Sequence, residues 1–230
     1  MDNRYYFNKM ENQFAIIEHG EAQHLTKVRR AKIGDAIVGF NGDGLDYNLE
    51  IVEITKSQVK AKILNTSKNR ACGDVNICVY LAMLKNDALV TAIDNLAELN
   101  VKTVKLFSSD FSVANIDEKK LEKLTNICIQ ASKQCERADI MKVEIIKKLE
   151  IEKDIQQYEN KFFAYEDSST QLEKFKGDFA VIIGPEGGFS SAENEHFSKF
   201  ANNVSLGKTI LRAEVACVVA VSSLKVAGIC

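Results

Sequence analysis

The spacing of apolar residues changes character partway along the chain. Early segments such as 47–51 and 58–64 alternate between apolar and polar side chains, which is typical of strands with one buried face. Beyond residue 72, apolar runs of strand length alternate with segments of helical period. The pattern predicts a small antiparallel β-domain, most simply a barrel, over residues 1–71, and an α/β domain with a mainly parallel sheet over residues 72–230.

Local signals mark where several elements begin. The Asn-Gly-Asp-Gly sequence at 41–44 follows the apolar run Ala36–Phe40 and is a strong hairpin signal. Ser190 with Glu193 three residues later forms a capping-box pattern, which predicts the start of a helix. In the second region we predict strands at 75–81, 101–107, 142–146, 161–165, 179–183 and 204–206, and helices at 88–99, 118–135, 151–158, 190–200 and 213–226.

Composition and charge restrict the class of protein. The 230 residues are 46% apolar and 27% charged, as expected for a folded globular chain rather than a disordered one. The formal net charge of −2 predicts no global positive field, so any nucleic-acid binding must come from a local patch. No apolar run approaches the roughly 20 residues that cross a bilayer, and the N-terminus lacks a secretion signal. We therefore expect a cytoplasmic protein that does not enter a membrane.

The cysteines and histidines give no metal-site pattern. The six cysteines contain no Cys-x-x-Cys pair, which predicts reduced, mostly buried thiols. The three histidines are too scattered in sequence to suggest a metal site, so we predict no bound metal. The residues concerned are Cys72, Cys78, Cys128, Cys135, Cys217, Cys230, His19, His24 and His196.

A glycine-rich segment follows the predicted strand at 179–183. It reads Gly184-Pro185-Glu186-Gly187-Gly188 and leads into the helix capped by Ser190. Glycines allow close approach of backbone groups to a ligand, and the chain's single proline stiffens the segment. A plain strand-to-helix turn would explain the same residues. We favour a ligand loop, because open α/β sheets bind ligands at the carboxyl ends of their strands.

A second strand-to-helix segment has an unusual charge placement. Residues 206–214 read Leu-Gly-Lys-Thr-Ile-Leu-Arg-Ala-Glu. Arg212 stands at the positive end of the predicted last helix, which costs ~0.3–1 kcal/mol. Only six of the 30 basic residues are arginine. An arginine at this position therefore indicates a role that needs a planar guanidinium able to donate two hydrogen bonds. Its partner would be Glu214, Glu186 or an anionic ligand, and a simple helix-start salt bridge remains the alternative.

Taken together, the two segments resemble the signature motifs of the 16S ribosomal RNA uridine N3-methyltransferases, a family of the SPOUT superfamily. The resemblance extends over most of the chain. Residues 24–30 (His-Leu-Thr-Lys-Val-Arg-Arg) resemble an N-terminal family segment, and 33–35 and 40–44 follow in the expected order. Residues 97–101 (Ala-Glu-Leu-Asn-Val) and 134–137 (Gln-Cys-Glu-Arg) resemble two further segments.

The resemblance implies a fold, a cofactor and a substrate. It implies a PUA-like β-barrel followed by a SPOUT α/β domain with a C-terminal trefoil knot, a homodimer, S-adenosylmethionine as methyl donor, and 16S rRNA or the small ribosomal subunit as partner. The implied cofactor-binding residues are Glu166, Gly184, Glu186, Gly187, Leu206, Gly207, Ile210 and Leu211. Those expected to contact RNA are Arg4, Lys27, Arg29, Arg30 and Arg137.

The implied reaction requires a charge stabiliser. Uracil N3 is protonated at neutral pH, so methylation needs a base or strong stabilisation of charge on O2 and O4. We expect Arg212 to be that stabiliser and Glu214 or Glu186 to act as the base or to orient Arg212. A solvated strand end remains the alternative for Glu166, and a solvated surface remains the alternative for the cluster around Arg29 and Arg30.

Several positions depart from the pattern of the family that the sequence resembles: Asn95 stands where lysine is usual, Asn100 replaces a glycine, Lys133 replaces a glutamate, and residues 108–111, which include Ser109, stand where Ser-Glu-Arg is usual. These departures concern RNA-facing or helix-end details rather than the cofactor loops.

Two other functions remain open: another SPOUT reaction, such as methylation of a tRNA ribose 2′-oxygen or of guanosine, and RNA binding without catalysis. A Rossmann-type methyltransferase is disfavoured, because no Gly-x-Gly-x-Gly follows the strand at 75–81.

Overall fold

A computed structural model describes residues 4–112, 117–166, 168 and 172–228. The chain forms two compact units. Unit 1 contains the residues up to Cys72 together with Ile129–Ile140, and unit 2 contains Gly73–Cys128 and the chain from Met141 onward.

Unit 1 is built on a six-stranded curled sheet. Its neighbouring strands follow the order β1-β4-β5-β6-β3-β2, with β1 parallel to β4 and the other pairs antiparallel. The apolar face of the predicted period-two segments is buried, as expected for this class of domain. The elements are β1 (Arg4–Tyr6), β2 (Lys9–Glu11), β3 (Phe14–Glu18), helix α1 (His19–Gln23) with a π-helical continuation (His24–Val28), β4 (Ala36–Phe40), β5 (Leu45–Ile54) and β6 (Gln58–Lys68).

The helical segment between β3 and β4 was not predicted. It is short and mostly polar, and its buried residues are Ala22 and Leu25. Isolated helices of this length are unstable in water, so packing on the sheet rather than helical periodicity stabilises it.

Unit 2 contains a six-stranded, all-parallel sheet in the order β12-β10-β11-β7-β8-β9. This confirms the predicted fold class. All five residues of β11 are buried, as expected for a central strand covered on both faces. The elements are β7 (Ile77–Ala82), α2 (Asn86–Glu98), β8 (Thr103–Phe107), α3 (Glu118–Gln134), β9 (Lys142–Ile145), α4 (Ile151–Asp154) between two 3₁₀ turns (Lys148–Glu150 and Ile155–Gln157), β10 (Asn160–Ala164), β11 (Phe179–Ile183), α5 (Ser191–Phe197), β12 (Asn202–Val204) and α6 (Ala213–Ala227).

Several predicted boundaries were wrong by a few residues, among them those of the last strand and of the helix after the glycine loop. The last strand is Asn202–Val204 instead of 204–206, because its pairing with β10 ends where Ala164 faces Val204. Leu206 therefore lies in the following loop, where it lines a cleft. The predicted helix 190–200 ends at Phe197, and a short turn follows it.

The described cysteines are free thiols, and two of them, Cys72 and Cys135, are only partly buried. Cys78, Cys128 and Cys217 are buried and unbridged, and burial raises the pKa of Cys78 and of Cys217 to about 12. Cys230 lies outside the described residues. Across the described part of the chain, no helix is long and apolar enough to span a bilayer, and no three potential metal-ligating side chains are gathered together.

Candidate functional site

An open cleft lies in unit 2 at the carboxyl ends of neighbouring parallel strands. β10 ends at Ala164 and β11 ends at Ile183, and both residues line the cleft. The loop before α6 forms another wall, with Leu206 and Leu211 among its lining residues. This is the position where open α/β sheets bind ligands.

The predicted glycine loop forms one side of this cleft. The Gly188 N–H donates to the Pro185 carbonyl, closing a turn in which Gly188 has φ +71°. A Cβ on Gly184 would lie 3.0 Å from the ring of Phe189. Only glycine allows this close packing without displacing the ring.

Phe189 anchors the loop to the core of unit 2. Its ring contacts the rings of Phe107, Phe163 and Phe197 at centroid distances of 6.3, 5.4 and 5.1 Å. Aromatic contacts of this kind restrict ring orientation as well as burying apolar area. The backbone of the glycine loop is therefore held in place before any ligand binds.

The capping box predicted at the start of α5 is confirmed. Ser190 Oγ accepts a hydrogen bond from the Glu193 N–H, and Glu193 Oε2 accepts one from the Ser190 N–H. Glu193 is 3% exposed, and its other oxygen accepts hydrogen bonds from Lys148 Nζ (2.8 Å) and the Asp110 N–H (2.9 Å). Hydrogen bonds from Lys148 and Ser190 lower the pKa of Asp110 below its usual value. This network ties the end of the glycine loop to two other segments of unit 2.

We expect Lys148→Met to lower the free energy of unfolding by about 1–3 kcal/mol, because the nearly buried Glu193 carboxylate would lose its charged partner. Lys147→Met is the matched control. The Lys147 side chain is 85% exposed and its only ion pair in the described structure is a 3.9 Å contact with Glu150, so its removal should be close to neutral. Thermal denaturation of both variants measures the difference. Equal melting temperatures would show that the network does not stabilise the loop.

The second predicted loop contains Gly207 and Arg212. Gly207 has φ +118°, a conformation that side-chain-bearing residues rarely adopt. Ile210 is 89% exposed although it is apolar. Arg212 is the N-cap residue of α6, and its exposed side chain makes no hydrogen bond or ion pair with the described residues. The salt bridge to Glu214 or Glu186 that would explain its position is thus not seen there.

Six of the eight predicted cofactor residues line the cleft: Glu166, Gly184, Leu206, Gly207, Ile210 and Leu211. Glu186 and Gly187 are exposed at the tip of the glycine loop and are not among the residues that line it. Glu186 Oε1 accepts a hydrogen bond from the Lys85 N–H, directly before α2. Glu214 follows Arg212 in the first turn of α6 and is partly buried.

Sequence reasoning missed other lining residues, notably Tyr165, Phe189 and Asn194. Phe189 could have been found, since it directly follows the glycine pair. Asn194 gave no sequence signal, because a polar residue within a short surface helix is ordinary.

Unit 1 carries an exposed basic cluster at the end of the π-helical segment and directly after it. Lys27, Arg29, Arg30 and Lys32 are all exposed. Val28 stands among them and is 67% exposed. A local group of cations with an apolar neighbour suits contact with a nucleic-acid backbone.

The other two arginines expected to contact RNA are buried within unit 1. Arg4 is 8% exposed; it pairs with Asp46 at 2.6 Å and donates to the Arg137 carbonyl at 2.9 Å. Arg137 is 1% exposed and donates two hydrogen bonds to Asp139. Buried charges require such partners. Neither guanidinium is available to a phosphate, so the structure gives Arg4 and Arg137 a structural role instead.

Comparison with known proteins agrees with this geometry. An RNA methyltransferase domain model matches residues 72–225, and an RNA methyltransferase PUA domain model matches residues 17–64. The chain belongs to the RNA methyltransferase family.

Relatives match along the whole chain. A Bacillus subtilis protein named ribosomal RNA small subunit methyltransferase E is 30% identical over 89% of this chain and 86% of its own length. A Rickettsia conorii protein of the same name is 27% identical over 98% and 96%. A Legionella pneumophila structure, solved as a methyltransferase with the cofactor SAM bound, is 27% identical over 98% of both chains, with a TM-score of 0.85.

The structure explains two departures from the methyltransferase family pattern. Asn100 stands where glycine is usual and has φ +67°, a left-handed conformation that asparagine tolerates better than most residues. Lys133 stands where glutamate is usual and pairs with Glu21 at 2.8 Å, with its ammonium 4.9 Å from the ring centre of Tyr5. The side chain of Ser109 is buried and hydrogen-bonded to the hydroxyl of Ser112. Nothing in the structure explains Asn95.

Proposed function

We propose that this protein uses S-adenosylmethionine (SAM) to methylate N3 of a uridine in 16S ribosomal RNA of the small ribosomal subunit. The observation that carries the proposal is the cleft of unit 2, built from the two loops on which the family resemblance rests. The Bacillus subtilis and Rickettsia conorii relatives are named for small-subunit ribosomal RNA, and the Legionella pneumophila structure contains SAM.

The cleft residues fit a nucleoside cofactor. Its walls include the apolar side chains of Ile183, Leu206 and Leu211, and glycines of both loops, Gly184, Gly188 and Gly207, also line it. Asn194 adds a polar residue to this lining. Glu166 offers an exposed carboxylate at the cleft, suited to an ammonium group. When bound, SAM supplies an electrophilic methyl group.

Arg212 and a glutamate would act on the uracil. Loss of the N3 proton places negative charge on O2 and O4, and a guanidinium can donate two hydrogen bonds to such oxygens. Arg212 is suited to this because its side chain is exposed and unpaired within the described structure. Glu186 already accepts a hydrogen bond from the Lys85 backbone, so we favour Glu214, two residues after Arg212 along the chain, as the base or orienting group.

Mass-spectrometric mapping of methylated uridines in 16S rRNA tests the proposal. In a strain lacking this protein, one N3-methyluridine should be absent, and the intact gene should restore it. A missing tRNA methylation would favour the other SPOUT reaction instead. An unchanged rRNA and tRNA pattern, together with no SAM binding by calorimetry, would favour a non-catalytic RNA-binding protein.

We further propose that residues 1–71 form an RNA-binding domain and residues 72–230 the methyltransferase domain, working in the cytoplasm. Arg30→Ala should weaken RNA binding and reduce the slope of log K against log salt by about 1 for each phosphate that the variant no longer neutralises. SAM affinity should not change. Lys176→Ala removes a charge at the amino end of β11, away from the cleft end of the sheet, and serves as control. If both variants bind RNA equally weakly, the Arg30 cluster is not the RNA site.

We also propose a homodimer that uses α6 and the loop before it. Ile210, Val215 and Val226 are 89%, 42% and 85% exposed, which is unusual for one helix and its approach loop in a monomer. Light scattering should give twice the chain mass of 25.6 kDa at micromolar concentration. A monomer at that concentration would contradict the dimer without affecting the methyltransferase proposal.

A further inference from the structure

Phe111 is an exposed aromatic residue beside the glycine loop in unit 2. The chain has 12 phenylalanines and 6 tyrosines. All of them lie in the described part of the chain, and only Phe111, at 52%, is exposed. The Cβ of Phe111 lies 3.3 Å from the position that a Cβ on Gly187 would take. Gly188 lines the cleft whereas Gly187 and Phe111 do not, so Phe111 lies next to the cleft and outside it.

Hydrogen bonds hold the backbone on both sides of Phe111. The Ser112 N–H donates to the Ser109 carbonyl, and the hydroxyls of these two serines are hydrogen-bonded to each other. The Asp110 carboxylate accepts from Ser190 Oγ at 2.6 Å, at the start of α5. A single exposed apolar side chain is ordinary on a protein surface. This one is presented by a turn that is fixed before any ligand binds, as recognition residues usually are.

The proposed reaction requires an unpaired uridine. N3 lies on the edge of uracil that pairs with another base, so it reaches a methyl donor in the cleft only when the uridine is turned out of its stack. A base next to it in the RNA then loses a stacking partner. Proteins that bind single-stranded RNA commonly supply an aromatic ring in its place. Such a ring is needed beside the cleft, where the neighbouring nucleotide would lie.

A cation lies at the same end of the glycine loop. The Lys85 N–H donates to Glu186 Oε1 at 3.0 Å, which places Lys85 beside the residue before Gly187. The Lys85 side chain is exposed and forms no ion pair with the residues that the structure describes. An ammonium group here suits a backbone phosphate. A cation and an exposed aromatic ring close together are the combination that binds single-stranded nucleic acid.

We propose that Phe111 stacks on an unpaired base of the RNA substrate, next to the methylated uridine. This rests on the RNA methyltransferase activity of the proposed function. The ring contributes to RNA binding and to placing the uridine at the cleft, and it takes no part in proton or methyl transfer. Phe111 belongs to the segment 108–111, which departs from the family pattern, so the contact is a feature of this chain and not of that pattern.

Methylation assays with naked 16S rRNA and with small ribosomal subunits, both from a strain lacking this protein, test the proposal. Phe111→Ala should raise the KM for RNA about 10-fold, the loss expected for one base–aromatic stack. The values of kcat and SAM affinity should not change. Phe111→Trp should keep the KM of the unaltered protein. Phe111→Leu keeps an apolar side chain but no flat ring, so it should behave like the alanine variant.

Salt dependence separates stacking from charge. A stacked ring neutralises no phosphate, so Phe111→Ala should leave the slope of log K against log salt unchanged, whereas Arg30→Ala should reduce it. Leu64→Ala is the control for loss of exposed apolar surface. Leu64 is also 52% exposed and lies on β6, and its replacement should not change the KM. Because the Phe111 side chain is exposed, its variants should melt at the temperature of the unaltered protein.

Three results would overturn the proposal: an unchanged KM for Phe111→Ala, a Phe111→Leu variant that binds RNA as well as Phe111→Trp, or an equal rise in KM for Leu64→Ala. Any of these, in a protein that methylates the RNA, would leave the proposed function intact. If the unaltered protein methylates neither naked 16S rRNA nor small subunits, the proposed function is wrong and the stacking proposal fails with it.

Discussion

Replacing Arg212 with alanine should lower kcat for uridine methylation by about 10²–10³-fold, the cost of removing one preorganised donor to a developing negative charge. The side chain is exposed and makes no hydrogen bond or ion pair with the described residues, so its removal breaks no observed interaction. SAM affinity should change far less than turnover, because the interaction would form mainly in the transition state.

Arg212→Lys is the matched variant for this prediction. It keeps the charge but cannot reproduce the planar fork, so it should recover little of the turnover. Stability separates the catalytic from the structural interpretation. Arg212 is at the N-cap of α6, where a positive charge is unfavourable, so Arg212→Ala should melt at the same temperature or higher. A variant that loses cofactor affinity and turnover in equal proportion would instead assign Arg212 to shaping the pocket.

Gly207→Val should abolish measurable SAM binding. Gly207 has φ +118° and lines the cleft, and a β-branched residue cannot adopt that backbone conformation without strain. A Cβ built on Gly207 meets no atom within 4 Å, so the effect would come from a changed loop backbone or from a methyl group occupying ligand space. Isothermal calorimetry with SAM measures the effect.

Gly34→Val is the control for backbone strain. Gly34 belongs to unit 1, has φ +93°, and likewise has nothing within 4 Å of a built Cβ. The two variants should therefore be destabilised to a similar extent, of order 1–3 kcal/mol, while only Gly207→Val fails to bind the cofactor. Unchanged affinity in a folded Gly207→Val protein would contradict the assigned pocket.

Gly187→Val should have a smaller effect on SAM binding than Gly207→Val. Gly187 is exposed, does not line the cleft, and would place its Cβ 3.3 Å from that of Phe111. The glycine motif alone did not show that Gly184 and Gly188 line the cleft whereas Gly187 does not. Which glycines face a ligand depends on how the loop turns, and that turn is stabilised by the distant rings packed around Phe189.

Much of the fold follows from local sequence. The parallel α/β class, the central strand Phe179–Ile183 and the capping box at Ser190 were all predictable, because each depends on periodicity or on residues a few positions apart. The two loops at the cleft were predictable for the same reason, as strand ends followed by glycine. The methyltransferase assignment came from resemblance, since no local pattern specifies the chemistry of a site.

Tertiary structure decided the roles of individual polar residues. Sequence places Arg4 and Arg137 among the candidate RNA contacts, yet folding brings Asp46 and the Arg137 carbonyl to Arg4 and buries both arginines, with Arg137 paired to its near neighbour Asp139. It also leaves Arg212 without a hydrogen-bond or ion-pair partner among the described residues, and it places an ordinary helix residue, Asn194, in the lining of the cleft. The sequence alone determines whether a side chain is polar or charged, because that depends only on the chemistry of the residue. Its partner depends on contacts between residues far apart in the chain, and those exist only once the backbone has folded.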